Sequence, residues 1–187
     1  MLRKTLIGIH GPLNGGKDTV ANYLMSKVPN FRHYSFAGPL KQACVVMFGF
    51  TLEQLEDRTL KEQVDPFWGF TPRRAMQLLG TEFGRNMLRD DVWIKRAERE
   101  YFSNRSAELG TIITDVRFEN EAAWIRAQSS SLLIYLEVPG LVKDERYNHA
   151  SEGGIELASS DCIIVNDKKK GLSALYRQLD ELIPKIL

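Results

Sequence analysis

Cysteine is nearly missing from this chain. Cys44 and Cys162 are the only two among 187 residues, far apart and in no C-x-x-C spacing. A disulfide framework is therefore not expected, and a reducing cytoplasm is the default compartment. Histidine is almost as sparse, and His149 has no ligand spacing around it that would make a zinc site. Long apolar runs are missing too. None approaches the roughly 20 residues that span a bilayer, and the apolar part of "MLRKTLIGIHG" is too short for a secretory signal. Nor is there an excess of one charge: the formal net charge is +1. That gives no support for a bulk nucleic-acid or membrane-surface binder, so any anion binding must be local. Internal repeats, low-complexity tracts and Pro/Gly/Ser linkers are absent as well. No Ser/His/Asp or Cys/His grouping points to covalent catalysis.

What remains is an ordinary globular composition, 43% hydrophobic and 26% charged. Its length suits one domain with a real core. Short apolar runs alternate with amphipathic stretches. Thr5–Ile9 reads as a strand covered on both faces. Lys17–Val28 reads as a helix with Val20, Leu24 and Val28 on one stripe. "HYSFA" suggests a second strand, and Pro39 opens a helix through Met47. Residues 51–103 look mostly helical. Within them Thr71 can cap, and Pro72 start, a helix with Met76, Leu79, Phe83 and Met87 on one side. "TIIT" is a strand ending at Asp115, with a helix near 119–128, and "LLIYLEV" and "DCIIV" are two further strands. The last helix repeats Leu172, Leu175, Leu179, Leu182 and Ile186 at 3–4 spacing. The alternation predicts an α/β fold, a parallel sheet with helices on both faces.

Between the first strand and the first helix stands "GPLNGGKDT". It fits G-x-x-x-x-G-K, the loop whose backbone N–H groups surround a phosphate at the positive end of a helix. Gly11, Asn14, Gly15 and Gly16 would let the backbone come close, and Lys17 would reach the β- and γ-phosphates. The bland alternative is a Gly-rich turn with a solvated lysine. Asp18 occupies the position where Ser or Thr usually holds Mg²⁺. A carboxylate there also suits the helix dipole. Beside a triphosphate it would be repelled unless Mg²⁺ lay between them, held directly or through water. Thr19 could bond a phosphate oxygen or satisfy the first helical turn.

Two readings stand for Asp115. In open α/β sheets ligands bind beyond the carboxyl ends of the strands, where an Asp can hold Mg²⁺ through water. An Asp there also serves as a helix N-cap. Arg117 either faces the same cleft or pairs with Glu121 on the surface. In "TPRRAMQLLGTEFGR", Arg73 and Arg74 sit in a helix's first turn, where cations oppose the dipole by about 0.3–1 kcal/mol each. An anion at that end would offset this, and arginine forks fit phosphate. Solvated arginines are the alternative. Arg85 could converge on the same anion. Trp68, Phe36 and Phe70 read as core residues before base-stacking platforms. Residues 139–154 are either a lid bringing Lys143 or Arg146 onto a phosphoryl group or a plain surface loop. "DKKKG" reads as a solvated helix start.

Taken together, "GPLNGGKDT", "FAGPLK", "TPRRAMQLLGTEFGR" with "DDVW", "IITDVRFENEA", "HASE" and "IIVND" resemble the deoxynucleoside monophosphate kinases of bacteriophages. The resemblance runs from about residue 8 to 167, in the family's order. It implies a P-loop NTPase three-layer fold of the nucleoside-monophosphate-kinase kind, with the helical region 51–103 as an acceptor-binding insertion. It also implies ATP and Mg²⁺, and phosphorylation of a deoxynucleoside 5′-monophosphate to the diphosphate. The phosphate-loop role falls on Gly11, Gly16, Lys17, Asp18 and Thr19. The acceptor-side basic role falls on Arg73, Arg74 or Arg85, with Arg117 a further candidate, and the acidic strand-end role on Asp115. On this reading Lys17, Arg73, Arg85 and Asp115 are the catalytic set, and Asp18 and Asp115 the metal candidates. No nucleic-acid or membrane partner is implied, homodimerisation is left open, and a phage-encoded chain would work in the host cytoplasm. Gly38 departs from the family, which often has an acidic residue before "PLK", and this leaves base preference open. Two other readings stand beside this one. One is a P-loop kinase of another phosphorylated acceptor, of the dephospho-coenzyme A or phosphomevalonate type. The other is a non-catalytic nucleotide-binding regulatory module.

Overall fold

The run "LIGIH" is buried at every position because it lies in the middle of a sheet. The computed structural model describes residues 5–141 and 154–187. Its strands are β1 (Leu6–His10), β2 (Phe31–Tyr34), β3 (Gly110–Val116), β4 (Ser131–Glu137) and β5 (Cys162–Val165). They pair in the order β2-β3-β1-β4-β5, and each pairing is parallel. Helices α1 (Lys17–Lys27) and α7 (Gly171–Ile186) cover one face. There Val20, Leu24, Leu175, Leu179 and Leu182 pack with Ile7, Ile9, Ile112, Ile134 and Leu136. On the other face lies α6 (Glu119–Arg126). Its Ile125 packs so close over Gly8 that a Cβ there would come within 2.6 Å of Ile125 Cδ1. The expected α/β class and two-faced parallel sheet are therefore present. The α7 stripe starts at Leu175, since Leu172 is exposed.

The chain forms two compact units, Met1–Ser35 with Ala97–Leu187, and Phe36–Arg96. The second contains α2 (Ala37–Phe48), α3 (Leu52–Glu56), a 3₁₀ turn at Leu60–Glu62 and α4 (Pro72–Gln77), which runs on as a π-helix, Leu78–Leu88. Helix α5 (Val92–Ser106) passes from the second unit into the first. Thr71 caps α4 as expected, its hydroxyl accepting the Arg74 N–H at 3.1 Å. The core of this unit is Cys44, Phe50, Leu55 and Ala75, with Phe48, Phe70, Met76 and Leu79 against it. The Met76–Leu79–Phe83–Met87 stripe does not hold. Phe83 and Met87 are exposed, while Gly80, Gly84 and Arg85 are buried. The reason is the winding: hydrogen bonds such as Arg89 N–H to Gly84 O close over five residues, so a 3.6-residue stripe slips off its face. Phe36 and Phe70 are packed as core residues, and the Trp68 indole N–H donates to the Phe48 carbonyl at 2.9 Å.

Burial pushes the Cys44 thiol up to about 11, as suits an inert core cysteine. Near β5, Arg126 forks onto Asp161 with bonds of 3.0 and 2.7 Å and also reaches Glu119 at 2.7 Å. The Asp161 side chain is 0% exposed and also accepts the Ala158 N–H at 2.8 Å. The pair fastens the approach to β5 onto α6. Without Asp161 the guanidinium keeps Glu119 but loses its fork, and the Ala158 N–H loses its acceptor. Asp161→Ala is therefore expected to lower unfolding free energy by about 1.5–3 kcal/mol, the range for hydrogen bonds to a charged group, read from the urea midpoint.

Candidate active site

The loop after β1 closes as a tight turn. The Gly15 N–H donates to Pro12 O at 2.9 Å, and Asn14 has φ 64°. Gly16 follows at φ 96° as the N-cap of α1. A side chain there would be strained and would also meet Asn166 Nδ2 at 2.7 Å. Unlike α3 and α4, which threonines cap, α1 has no side-chain cap. The N-cap glycine therefore offers no side-chain acceptor to the first turn, and a helix N-terminus of this kind is where anions bind. Lys17 folds back over this loop, donating to Gly11 O at 2.9 Å and Pro12 O at 2.8 Å. Asp18 is exposed and Thr19 half-buried in the same turn. Gly11, Asn14, Gly15, Gly16, Lys17, Asp18 and Thr19 are thus brought together.

One residue that sequence reasoning passed over completes the loop. Asn166, just after β5, is buried and donates its Nδ2–H to Gly15 O at 2.7 Å. The "IIVND" stretch that carries the family resemblance contains it, and that was the one available signal. "DKKKG", read as solvated, begins one residue after this brace.

Asp115 lies in β3, the strand that pairs with β1, and is half-buried near its carboxyl end. It is not the N-cap of α6, a place taken by Phe118. The end of α6 is satisfied instead by Glu121, which is buried and accepts the backbone N–H groups of Arg117 at 2.8 Å and Phe118 at 3.1 Å. Glu121 is thus not a surface residue. The β1–β3 register slips between Gly8, opposite Ile113, and His10, opposite Val116. Thr114 and Asp115 therefore share the place opposite Ile9, a bulge of the kind that re-aims side chains beside active sites. His10 is buried, with its Nδ1 2.8 Å from Val116 O. A carbonyl cannot donate, so Nδ1 carries the hydrogen. Burial holds the His10 imidazole below its ordinary range. Lys17 and Arg117 push the same way, while the Val116 bond and Glu119 oppose them.

Arg73, Arg74 and Arg85 belong to the second unit. Arg73 is half-buried and ion-paired through Nε to Glu62. The anion that a cation in that first turn calls for is thus supplied, in this state, by the protein itself. Arg74 is exposed. Arg85 is buried in the π-helix, its Nη1–H donating to Asp90 O at 2.9 Å. Lys143, Arg146 and His149 lie outside the described residues.

Among the described residues no group of three or more His, Cys, Asp or Glu could hold a metal. That is compatible with Mg²⁺, which takes one or two carboxylates and completes its shell with phosphates and water. The exposed Asp18, the Thr19 hydroxyl and Asp115 are oxygen donors of the right kind. No helix among the described residues is long and apolar enough to cross a membrane.

Comparison with known proteins gives this arrangement a family. The chain is 25% identical to the deoxynucleoside-5′-monophosphate kinase of Escherichia phage T5, over 80% of its length and 84% of the relative's. It is 23% identical to the deoxynucleotide monophosphate kinase of Enterobacteria phage T4, over 97% and 96%. Among solved structures, TT1252 from Thermus thermophilus shares the fold at TM-score 0.53 and 19% identity, each chain covered to 99%. A protein of Acanthamoeba polyphaga mimivirus that carries the same kinase name is 33% identical over 93% of each chain. The family model for deoxynucleotide monophosphate kinase matches residues 57–179. The chain therefore belongs to the deoxynucleotide monophosphate kinase family and is a phosphotransferase.

Proposed function

We propose that the protein transfers the γ-phosphoryl group of ATP to the phosphate of a deoxynucleoside 5′-monophosphate, giving ADP and the deoxynucleoside diphosphate. The observation that carries this reading is the uncapped N-terminus of α1 behind a left-handed glycine turn, with Lys17 folded over it. An acceptor-phosphate oxygen attacks the γ-phosphorus, and the bond from that phosphorus to the β–γ bridging oxygen breaks, leaving ADP. With a second pKa near 6 the acceptor phosphate is largely dianionic at neutral pH. No strong general base is required, and catalysis is positioning and charge neutralisation.

The loop N–H groups and Lys17 would hold the β- and γ-phosphates. Lys17 would leave the Gly11 and Pro12 carbonyls for them. Asp18, Thr19 and Asp115 are the residues that would hold Mg²⁺, whose chemistry is to neutralise charge on the transferred group. On the acceptor side Arg73 and Arg85 take the monophosphate, and Arg74, being exposed, contributes less. Arg117, two residues beyond Asp115, faces the developing charge. Until acceptor binds, Glu62 keeps the Arg73 fork charge-balanced.

A coupled ADP-release assay across nucleoside and deoxynucleoside monophosphates tests the reaction. Turnover is expected with at least one deoxynucleoside monophosphate. Stimulation by dephospho-coenzyme A or phosphomevalonate instead, or by nothing, would overturn it. Lys17→Ala is expected to lower kcat at least about a hundredfold, as for loss of a main charge contact. Arg73→Ala is expected to raise the acceptor KM and leave the ATP KM unchanged; the reverse pattern would put Arg73 on the donor side. Asn166→Ala removes the Gly15 brace, a bond worth about 1 kcal/mol, so the ATP KM should rise about fivefold. Asn166→Asp should do worse, since it sets a carboxylate oxygen against the Gly15 carbonyl.

A further inference from the structure

His10 ends β1, one residue before the phosphate loop, and has no part in the reaction as written. Yet it is buried, and its ring is tied on two sides. Nδ1–H donates to Val116 O at 2.8 Å, and the ring packs on Tyr135 of β4 with centroids 4.9 Å apart. Val116 is the residue after Asp115. On the other side of Asp115, Thr114 Oγ1 lies 2.8 Å from His33 Nε2 of β2. Asp115 is therefore bracketed by two bonds to imidazoles, at the point where β3 carries one residue more than β1.

An unsupported bulge has a disrupted ladder and freedom to shift. Here the ring of His10 supplies a bond across the slip. We infer that His10 is a positioning residue, fixing the β3 bulge so that the Asp115 carboxylate is held where the transferred group's charge develops. The inference rests on the strand-end role proposed for Asp115. The neutral ring suits the task. A protonated imidazole would add a cation beside Lys17 and Arg117, the groups that already oppose its charging, while Glu119 favours it.

The test uses the hydrogen's position on the ring. The Nδ2 of asparagine hangs from Cγ as Nδ1 does, so His10→Asn keeps a donor for Val116. His10→Gln carries its amide one carbon further out, and His10→Leu has none. His10→Leu and His10→Gln are expected to lose about tenfold or more in kcat, read as lost transition-state stabilisation, with acceptor KM unchanged. His10→Asn is expected to stay within about threefold of wild type. In an Asp115→Ala background, His10→Leu should cause no further loss, because a residue that acts through another is non-additive with it. Calorimetry supplies a readout apart from turnover. The gain in ATP affinity on adding Mg²⁺ should shrink in His10→Leu and persist in His10→Asn. If the losses multiply with Asp115→Ala, or if Asn behaves like Leu, the inference is overturned. Should His10→Leu melt at the assay temperature, the Asn and Gln pair decides on the same criteria. Wild-type kcat in Asp115→Ala alone would instead overturn the strand-end assignment on which this rests.

Discussion

A buried amide braces the loop between β1 and α1 from across the sheet, in addition to the Lys17 ammonium on the Gly11 and Pro12 carbonyls. The loop is costly backbone: Asn14 and Gly16 both sit in the left-handed region, and the helix behind them starts without a side-chain cap. Left to itself, such a segment would relax toward a better-bonded turn. The buried bond from Asn166 to Gly15 O prevents that by giving the carbonyl of the strained turn its partner. The brace comes from the far edge of the sheet order, just after β5, so it forms only when β5 is in place. The shape of the turn before α1 thus depends in part on the far strand of the sheet. The Arg126–Asp161 pair, which seats the approach to β5, belongs to the same chain of dependence.

The charges of the site are arranged around that constraint. Lys17 and Arg117 lie close enough to His10 to hold its ring below the ordinary imidazole range, in addition to burial. A neutral ring can still donate one hydrogen bond, and it spends that bond on Val116. The ring thus adds no further cation to those of Lys17 and Arg117. Carboxylate and hydroxyl oxygens such as those of Asp18, Asp115 and Thr19 are the hard ligands that Mg²⁺ takes.

What could be read in the sequence was what depends on neighbours in sequence. "GPLNGGKDT" was legible because strand, glycine turn and amphipathic helix follow one another within twenty-odd residues. The Thr71–Pro72 helix start was legible for the same reason. Asn166 was not, because its partner is 151 positions away and an isolated Asn after a strand has many uses. Asp115 could be placed at a strand end, but excluding the N-cap role needed the observed start of α6 at Phe118, and the extra residue in β3 is something no periodicity reveals. The helical stripe through Met76 and Met87 misled because winding changes within the helix, and a period-based reading assumes it does not. Glu121 looked like a surface partner for Arg117, yet its position in the first turn of α6 turned it inward onto backbone N–H groups.

Arg73 shows how the same physical rule can have two solutions. A guanidinium in a helix's first turn calls for an anion, and the sequence argument supplied a phosphate. The structure supplies Glu62, eleven residues earlier, in the same unit. The two answers are compatible if binding is an exchange. A half-buried cation left without a counter-charge would be destabilising, so a site that waits for a dianion benefits from a carboxylate in its place. The carboxylate carries one negative charge and a phosphate monoester nearly two, so on the exchange proposed above the incoming group would win on charge. A lysine in that position would rotate freely between partners; the planar fork of arginine, held at Nε, keeps its orientation for the phosphate.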